Sequence, residues 1–115
     1  MITKRGDVVL VQFPRSDRQH WDRRPALVVQ ADGLASGLAQ VVLAMITTNP
    51  ARAGHPSRVL VTLSSPAGTA SGLVSDSVIM TDNLATILEK AIHAVIGAIP
   101  DMTQVDMALR NTLAL

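Results

Sequence analysis

The chain has 115 residues, of which 48% are hydrophobic and only 17% charged, where a typical soluble domain carries about 25% charge. This excludes a solvating tail and leaves room for a single core, so we expect one domain over 1–115. Aromatic residues make up 2% and cysteine is absent; Val, Leu, Ile, Ala and Met must therefore fill a β-rich interior, and disulfides, thiolate catalysis and Cys-ligated zinc are excluded. So little charge leaves apolar area uncovered on a body this small, which predicts a homodimer. No apolar run approaches signal-peptide or membrane-span length, so the expected location is cytoplasmic, with no membrane partner. The net charge of +1 is unevenly spread: residues 1–58 hold eight of the ten Lys/Arg and four of the nine acids, for +4, and the remainder carries −3.

In chain order, Asp7-Val8-Val9-Leu10-Val11-Gln12-Phe13 is β-branched and stops at Pro14, which predicts a strand. Residues 14–24 have no apolar period and four arginines, and read as a surface loop. A second strand is expected over Pro25 to Gln30, a turn over Ala31 to Ala39, and a central buried strand over Gln40 to Ile46. The turn formers of 47–57 predict a second long loop. A strand is expected from Arg58 to Leu63, a turn from Ser64 to Gly72, and extended structure over 73–74 and 76–81. Leu84, Ile87, Leu88, Ala91, Ile92, Val95 and Ile96 recur at helical spacing, so periodicity alone predicts a helix over 84–96. At the end, Asp101 with Gln104 three residues on resembles a capping box, and Met102, Val105, Ala108, Leu109 and Thr112 share one helical face.

The loop over 14–24 is the chemically informative stretch. Arg15, Arg18, Arg23 and Arg24 with His20 and Trp21 combine fixed positive charge, a titratable imidazole and a stacking surface, the properties that a single-stranded RNA site uses. Composition alone favours a plainer reading, in which Trp21 folds back as an anchor and Arg18 or Arg23 pairs with Asp17 or Asp22. Lys4-Arg5-Gly6-Asp7 reads first as a turn leading into the strand. His20, His55 and His93 have no metal-ligand spacing, the glycines form no phosphate-cradling run, and the serines have no nucleophile-elbow pattern; no metal and no cofactor is expected.

Taken in order, Arg5-Gly6-Asp7-Val8-Val9-Leu10-Val11-x-Phe13-Pro14, Arg24-Pro25-Ala26-Leu27-Val28-Val29, Ile46-Thr47, Gly72-Leu73, Asp76-Ser77-Val78-Ile79 and Val105-Asp106-x-Ala108-Leu109 resemble the PemK/MazF family of toxin endoribonucleases over nearly the whole chain. The resemblance implies a mainly β (α+β) fold, a small SH3-like curved β-barrel of the PemK/MazF/CcdB type with a C-terminal helix, working as a symmetric dimer. It also implies that Ile92 to Ile99 is a strand preceded by a short helical turn, against the periodicity. The implied activity is metal-independent, sequence-specific cleavage of single-stranded RNA, as the toxin of a type II toxin-antitoxin system that inhibits translation and is blocked by a cognate antitoxin.

By the same resemblance, Arg24 and Thr47 stand where the family keeps its catalytic arginine and hydroxyl, and Asp82 where some members have a carboxylate; Arg15, Arg18, Trp21 and Arg23, from the chemistry of their loop, and Thr48 are expected to bind RNA. Two arginines of the family are Met80 and Ala85 here. Such cleavage needs a base for the 2′-hydroxyl, a cation for the phosphorane and an acid for the leaving oxygen. Arginine is a poor base and a good phosphate clamp; Arg24 therefore takes transition-state stabilisation, Thr47 a phosphate hydrogen bond, and His20 or Asp82 the acid–base work. Two other readings stay open: a protein-binding toxin of the gyrase-poison kind, which lacks here the aromatic C-terminal tripeptide such relatives use, and an RNA-binding module without cleavage.

Overall fold

The computed structural model describes residues 2–14, 17 and 19–115. Among them, six strands form one antiparallel sheet: β1 (Asp7–Pro14), β2 (Trp21–Val28), β3 (Gln40–Thr47), β4 (Arg58–Val61), β5 (Ser77–Leu88) and β6 (Ile92–Ala98). The order is β4-β5-β3-β2-β1-β6, with helices α1 (Pro66–Ser71) and α2 (Thr103–Leu113). The mainly β architecture with a C-terminal helix is the one expected.

Alternation along the strands sends side chains into two separate cores. Val8, Leu27, Ala44, Ile46, Ile79 and Val61 pack with Val105 of α2 on one face, and Val9, Val11, Ala26, Val28, Leu43 and Ile92 pack on the other. The aliphatic composition suits this, because both faces of the central strands must be filled by compact branched side chains.

Four expectations need correction. β2 begins at Trp21, so the second half of the arginine-rich segment is strand: Phe13 pairs Asp22 and Val11 pairs Arg24, and ladder bonds outweigh the polarity of an exposed strand end. The helix that periodicity predicts over 84–96 is absent: residues 84–88 belong to β5 and 92–98 to β6, separated by a 3₁₀ turn over Glu89–Ala91, the strand after a short helical turn that the family resemblance implies; the helical spacing arises because Leu84 reaches one core and Ile87 the other. Residues 66–71 form a short helix in place of a turn, with the Ser65 hydroxyl accepting the Gly68 N–H and Gly72 closing it at φ 73°. The Asp101 carboxylate caps Thr103, accepting from its N–H at 3.0 Å and its hydroxyl at 2.6 Å, so no capping box with Gln104 starts α2.

Helix α1 follows β4 and packs on β6, bringing the two outer strands of the sheet toward a common element. The approach is backbone to backbone. A Cβ on Gly97 would lie 2.3 Å from the Ser71 carbonyl carbon, and one on Gly72 would lie 2.0 Å from the Ile96 oxygen. Glycine at both positions lets α1 seat there.

The turn before β1 forms as expected, with the Lys4 N–H donating to Asp7 Oδ2 at 2.8 Å. Arg5 is structural: it donates to the Val29 carbonyl at 3.0 Å and pairs with Asp106 of α2 at 2.6 Å.

Candidate active site

The face that buries Val11, Ala26 and Leu43 continues, two residues further along each strand, into Phe13, Arg24 and Met45, and then Thr47. These side chains, with Ile46, Arg52, Met80, Asn83 and Ala85, line a cleft of about 400 Å³. Running the β2–β3 register on by two residues past its last bonded pair, Ala26↔Met45, sets Arg24 abreast of Thr47. The sheet thus brings together the two residues singled out as arginine clamp and hydroxyl. Met80 and Ala85 also stand in this cleft, so the wall facing Arg24 carries no cation at either position.

Thr47 ends β3 with its Oγ1 accepting the Asn49 N–H at 3.2 Å. An oxygen that already accepts a backbone bond keeps its hydroxyl hydrogen to donate. Asn49 in turn caps the 3₁₀ turn Pro50–Arg52, its side chain accepting from the Ala51 N–H. Arg52, which the sequence reading did not single out, is thereby carried into the cleft; its only advance signal was a lone cation five residues after Thr47 in a loop with nothing to bury.

Asp82 does not line the cleft. β5 leaves residues 81–83 unpaired with β3, since Met45 faces Met80 and Ala44 faces Leu84. This bulge turns Asp82 toward Arg58, whose Nη2 and Nε donate to its two oxygens at 2.8 and 3.3 Å. That guanidinium holds the Asp82 carboxyl below the usual carboxylate range. The neighbouring Thr81 is buried, donating to the Ser57 carbonyl at 2.6 Å and meeting Thr112 Oγ1 at 2.9 Å, which ties the bulge to α2.

His20 lies outside the cleft lining, on the connection between Phe13 and Arg24, two of its wall residues. Its Nδ1 is 2.8 Å from Asp17 Oδ2. The Gln19 N–H, His20 side chain and His20 N–H all bond Asp17 and hold its carboxyl below the ordinary value. A carboxylate can only accept, so Nδ1 carries the hydrogen, and in the neutral ring Nε2 is left as the acceptor. Trp21 is 64% exposed; it stands out as a platform and is not folded back as an anchor. Asp22 lies 3.9 Å from Arg24, a loose contact on the same face of β2.

Arg23 and Thr48 point the other way. They line a second groove of about 440 Å³ with Leu10, Pro25, Leu73, Val74 and Ile96, at the same end of the sheet but on its opposite face. Arg15 and Arg18 lie outside the described residues. His55 is structural, its Nδ1 accepting the Ser57 N–H at 3.0 Å.

This sheet, its C-terminal helix and a cationic cleft at the strand ends define a small, mainly β fold with an arginine-lined site. Residues 4–113 match the family model described as PemK-like, MazF-like toxin of type II toxin-antitoxin system, and the chain belongs to that family. It is 35% identical over 119 residues to the endoribonucleases MazF2 of Mycobacterium bovis and MazF6 of Mycobacterium tuberculosis, covering 100% of this chain and of each relative. Among solved structures it superposes on the Mycobacterium tuberculosis toxin MazF-mt6 with a TM-score of 0.73 at 24% identity, over 95% of this chain and 97% of that one. It also matches an endoribonuclease in complex with its cognate antitoxin from a mycobacterial species, with a TM-score of 0.74 at 22% identity over 99% and 97% of the two chains. Those two likenesses show the fold.

Proposed function

We propose that this protein is a metal-independent endoribonuclease that cuts single-stranded RNA in the cleft between Arg24 and Thr47. The observation that carries the reading is the presence of the Arg24 guanidinium and the Thr47 hydroxyl in one cleft whose described lining contains no carboxylate, an arrangement suited to a phosphodiester. In the reaction, the ribose 2′-oxygen attacks the adjacent phosphorus while its proton passes to a base. Arg24 holds the non-bridging oxygens as charge develops on them, and the Thr47 hydroxyl donates to one of the same oxygens. The P–O5′ bond breaks, the 5′-oxygen takes a proton, and a 2′,3′-cyclic phosphate remains. The base is His20: Asp17 fixes its tautomer with Nε2 open, whereas Asp82 is engaged at both oxygens by Arg58 and is the weaker candidate. Trp21 and Phe13 offer aromatic surface for bases.

Incubating the protein with a long RNA in EDTA is expected to give cleavage at undiminished rate, with 2′,3′-cyclic or 3′-phosphate ends. Activity lost on chelation, or cleavage of DNA, would overturn the mechanism. Met80 and Ala85 within the cleft favour one second reading, an RNA-binding module without cleavage, which the same experiment identifies by intact RNA retained on the protein.

The partners we propose are a second copy of the chain and a cognate antitoxin. Leu60, Val74 and Val95 are 53%, 92% and 42% exposed, and the Arg23–Thr48 groove is walled by aliphatic side chains, an apolar surface that a second copy would cover. Sedimentation at micromolar concentration without antitoxin is expected to show a dimer; a monomer there would count against it.

A further inference from the structure

We infer that Arg52 is the second phosphate-binding cation of the cleft and holds the phosphodiester next to the one that is cleaved. The inference rests on the proposed RNA cleavage and adds a residue to it. Three observations converge on this side chain. It lines the same cleft as Arg24 and Thr47. Its position is built: the Arg52 N–H donates to the Asn49 carbonyl at 3.1 Å, Arg58 Nη1 donates to the Arg52 carbonyl at 3.3 Å, and the turn is pinned at its start to Thr47 Oγ1. Its guanidinium has no hydrogen-bond or ion-pair partner among the described residues, whereas the nearby Arg58 is committed to Asp82 and Arg24 has Asp22 within 3.9 Å.

A fixed backbone with an uncommitted guanidinium suits capture of an anion from solution, because no internal ion pair has to break first. The placement also points to the role. Arg24 lies on β2 across from the end of β3, while Arg52 is carried on the turn beyond that end, so the two cations enter the cleft from different elements, as two neighbouring phosphates of one RNA strand require. With Met80 and Ala85 on the opposite wall, Arg24 and Arg52 supply all the positive charge in the cleft's described lining. Arg52 then acts on the bound ground state and the transition state alike, which lowers KM and leaves kcat unchanged.

The test uses the full chain and its Arg52→Ala, Arg52→Lys and Arg110→Ala variants; Arg110 is an exposed cation on α2, outside the cleft. Binding to a mixed-sequence 2′-O-methyl RNA pool, which has no nucleophile, is measured against salt, beside steady-state cleavage of unmodified RNA. Arg52→Ala is expected to reduce the salt slope by about 0.7, the value of one single-strand phosphate contact. It should also raise KM about tenfold, as for one charged hydrogen bond, with kcat within about twofold of the parent. Arg52→Lys keeps the slope, and Arg110→Ala changes neither quantity. An Arg52→Ala protein with the parent's slope and KM, or one that loses only kcat, overturns the inference while leaving the proposed cleavage standing. A parent that binds the pool with an Arg52-dependent slope yet cuts no RNA overturns the cleavage reading and supports Arg52 as a phosphate ligand. A parent that binds no RNA overturns both.

Discussion

Replacing Arg24 with Lys is expected to slow RNA cleavage by about 10²-fold or more, the usual loss when a preorganised transition-state donor is removed. The substitution keeps one positive charge and removes the planar fork that can hold two phosphate oxygens at once. Arg24 sits on a regular strand whose neighbour Val11 is paired and buried, so the ammonium of a lysine would start from the same backbone and lose only the second donor arm. Binding to uncleavable RNA should weaken far less, because Arg52 and the arginines before β2 still attract phosphates without regard to sequence. Single-turnover cleavage beside equilibrium binding checks this. Equal cleavage by the lysine variant would move the chemistry away from Arg24.

His20→Ala is expected to lose about 10²- to 10⁴-fold in cleavage rate, the range for removing a general acid or base, and Asp82→Asn to lose much less. The difference follows from what each group already does. Asp82 has both oxygens on Arg58 and a depressed pKa, so it has little tendency to take a proton near neutrality. As pH falls through that depressed value the Arg58 pair is lost, and whatever it contributes to stability is lost below the ordinary carboxylate range and retained above it. Among the described residues, His20 has its Nδ1 held by Asp17 and no hydrogen-bond partner at Nε2, which is left as the acceptor of the neutral ring. Asp17→Ala, which frees the ring without removing it, should fall between the two. Rates measured on one RNA for all three variants decide the matter; a silent His20→Ala with a crippled Asp82→Asn would reverse the assignment.

Much of this was legible from the residue order. β1, β3 and α2 follow from β-branched runs and a helical stripe, and Arg24 and Thr47, which share the cleft, were singled out through the family resemblance. The errors have physical causes. Trp21 to Arg24 look like loop because their polar side chains face outward or into a cleft, while the strand is held by backbone bonds to β1 that composition does not reveal. Residues 84–96 look helical because Leu84 packs on one core and Ile87 on the other, which breaks the alternation of β5, and a tight 3₁₀ turn at Glu89–Ala91 fills the remaining phase. Arg52 was missed because its place in the cleft comes from the Thr47–Asn49 turn that carries it there, and an isolated arginine in a polar loop carries no periodicity.

The opposed orientation of Arg23 and Arg24, and of Thr47 and Thr48, separates neighbours in sequence into different functional histories. A substitution at Arg24 or Thr47 is judged by the chemistry of the cleft. One at Arg23 or Thr48 is judged by whatever occupies the aliphatic groove across the sheet. The backbone of two strands is the partition between these trials, so a change in the groove need not disturb the cleft. Because side chains alternate strictly along a strand, a single-residue slip of β2 would exchange the two arginines and confound both surfaces at once; the seven-residue pairing with β1 guards against that exchange.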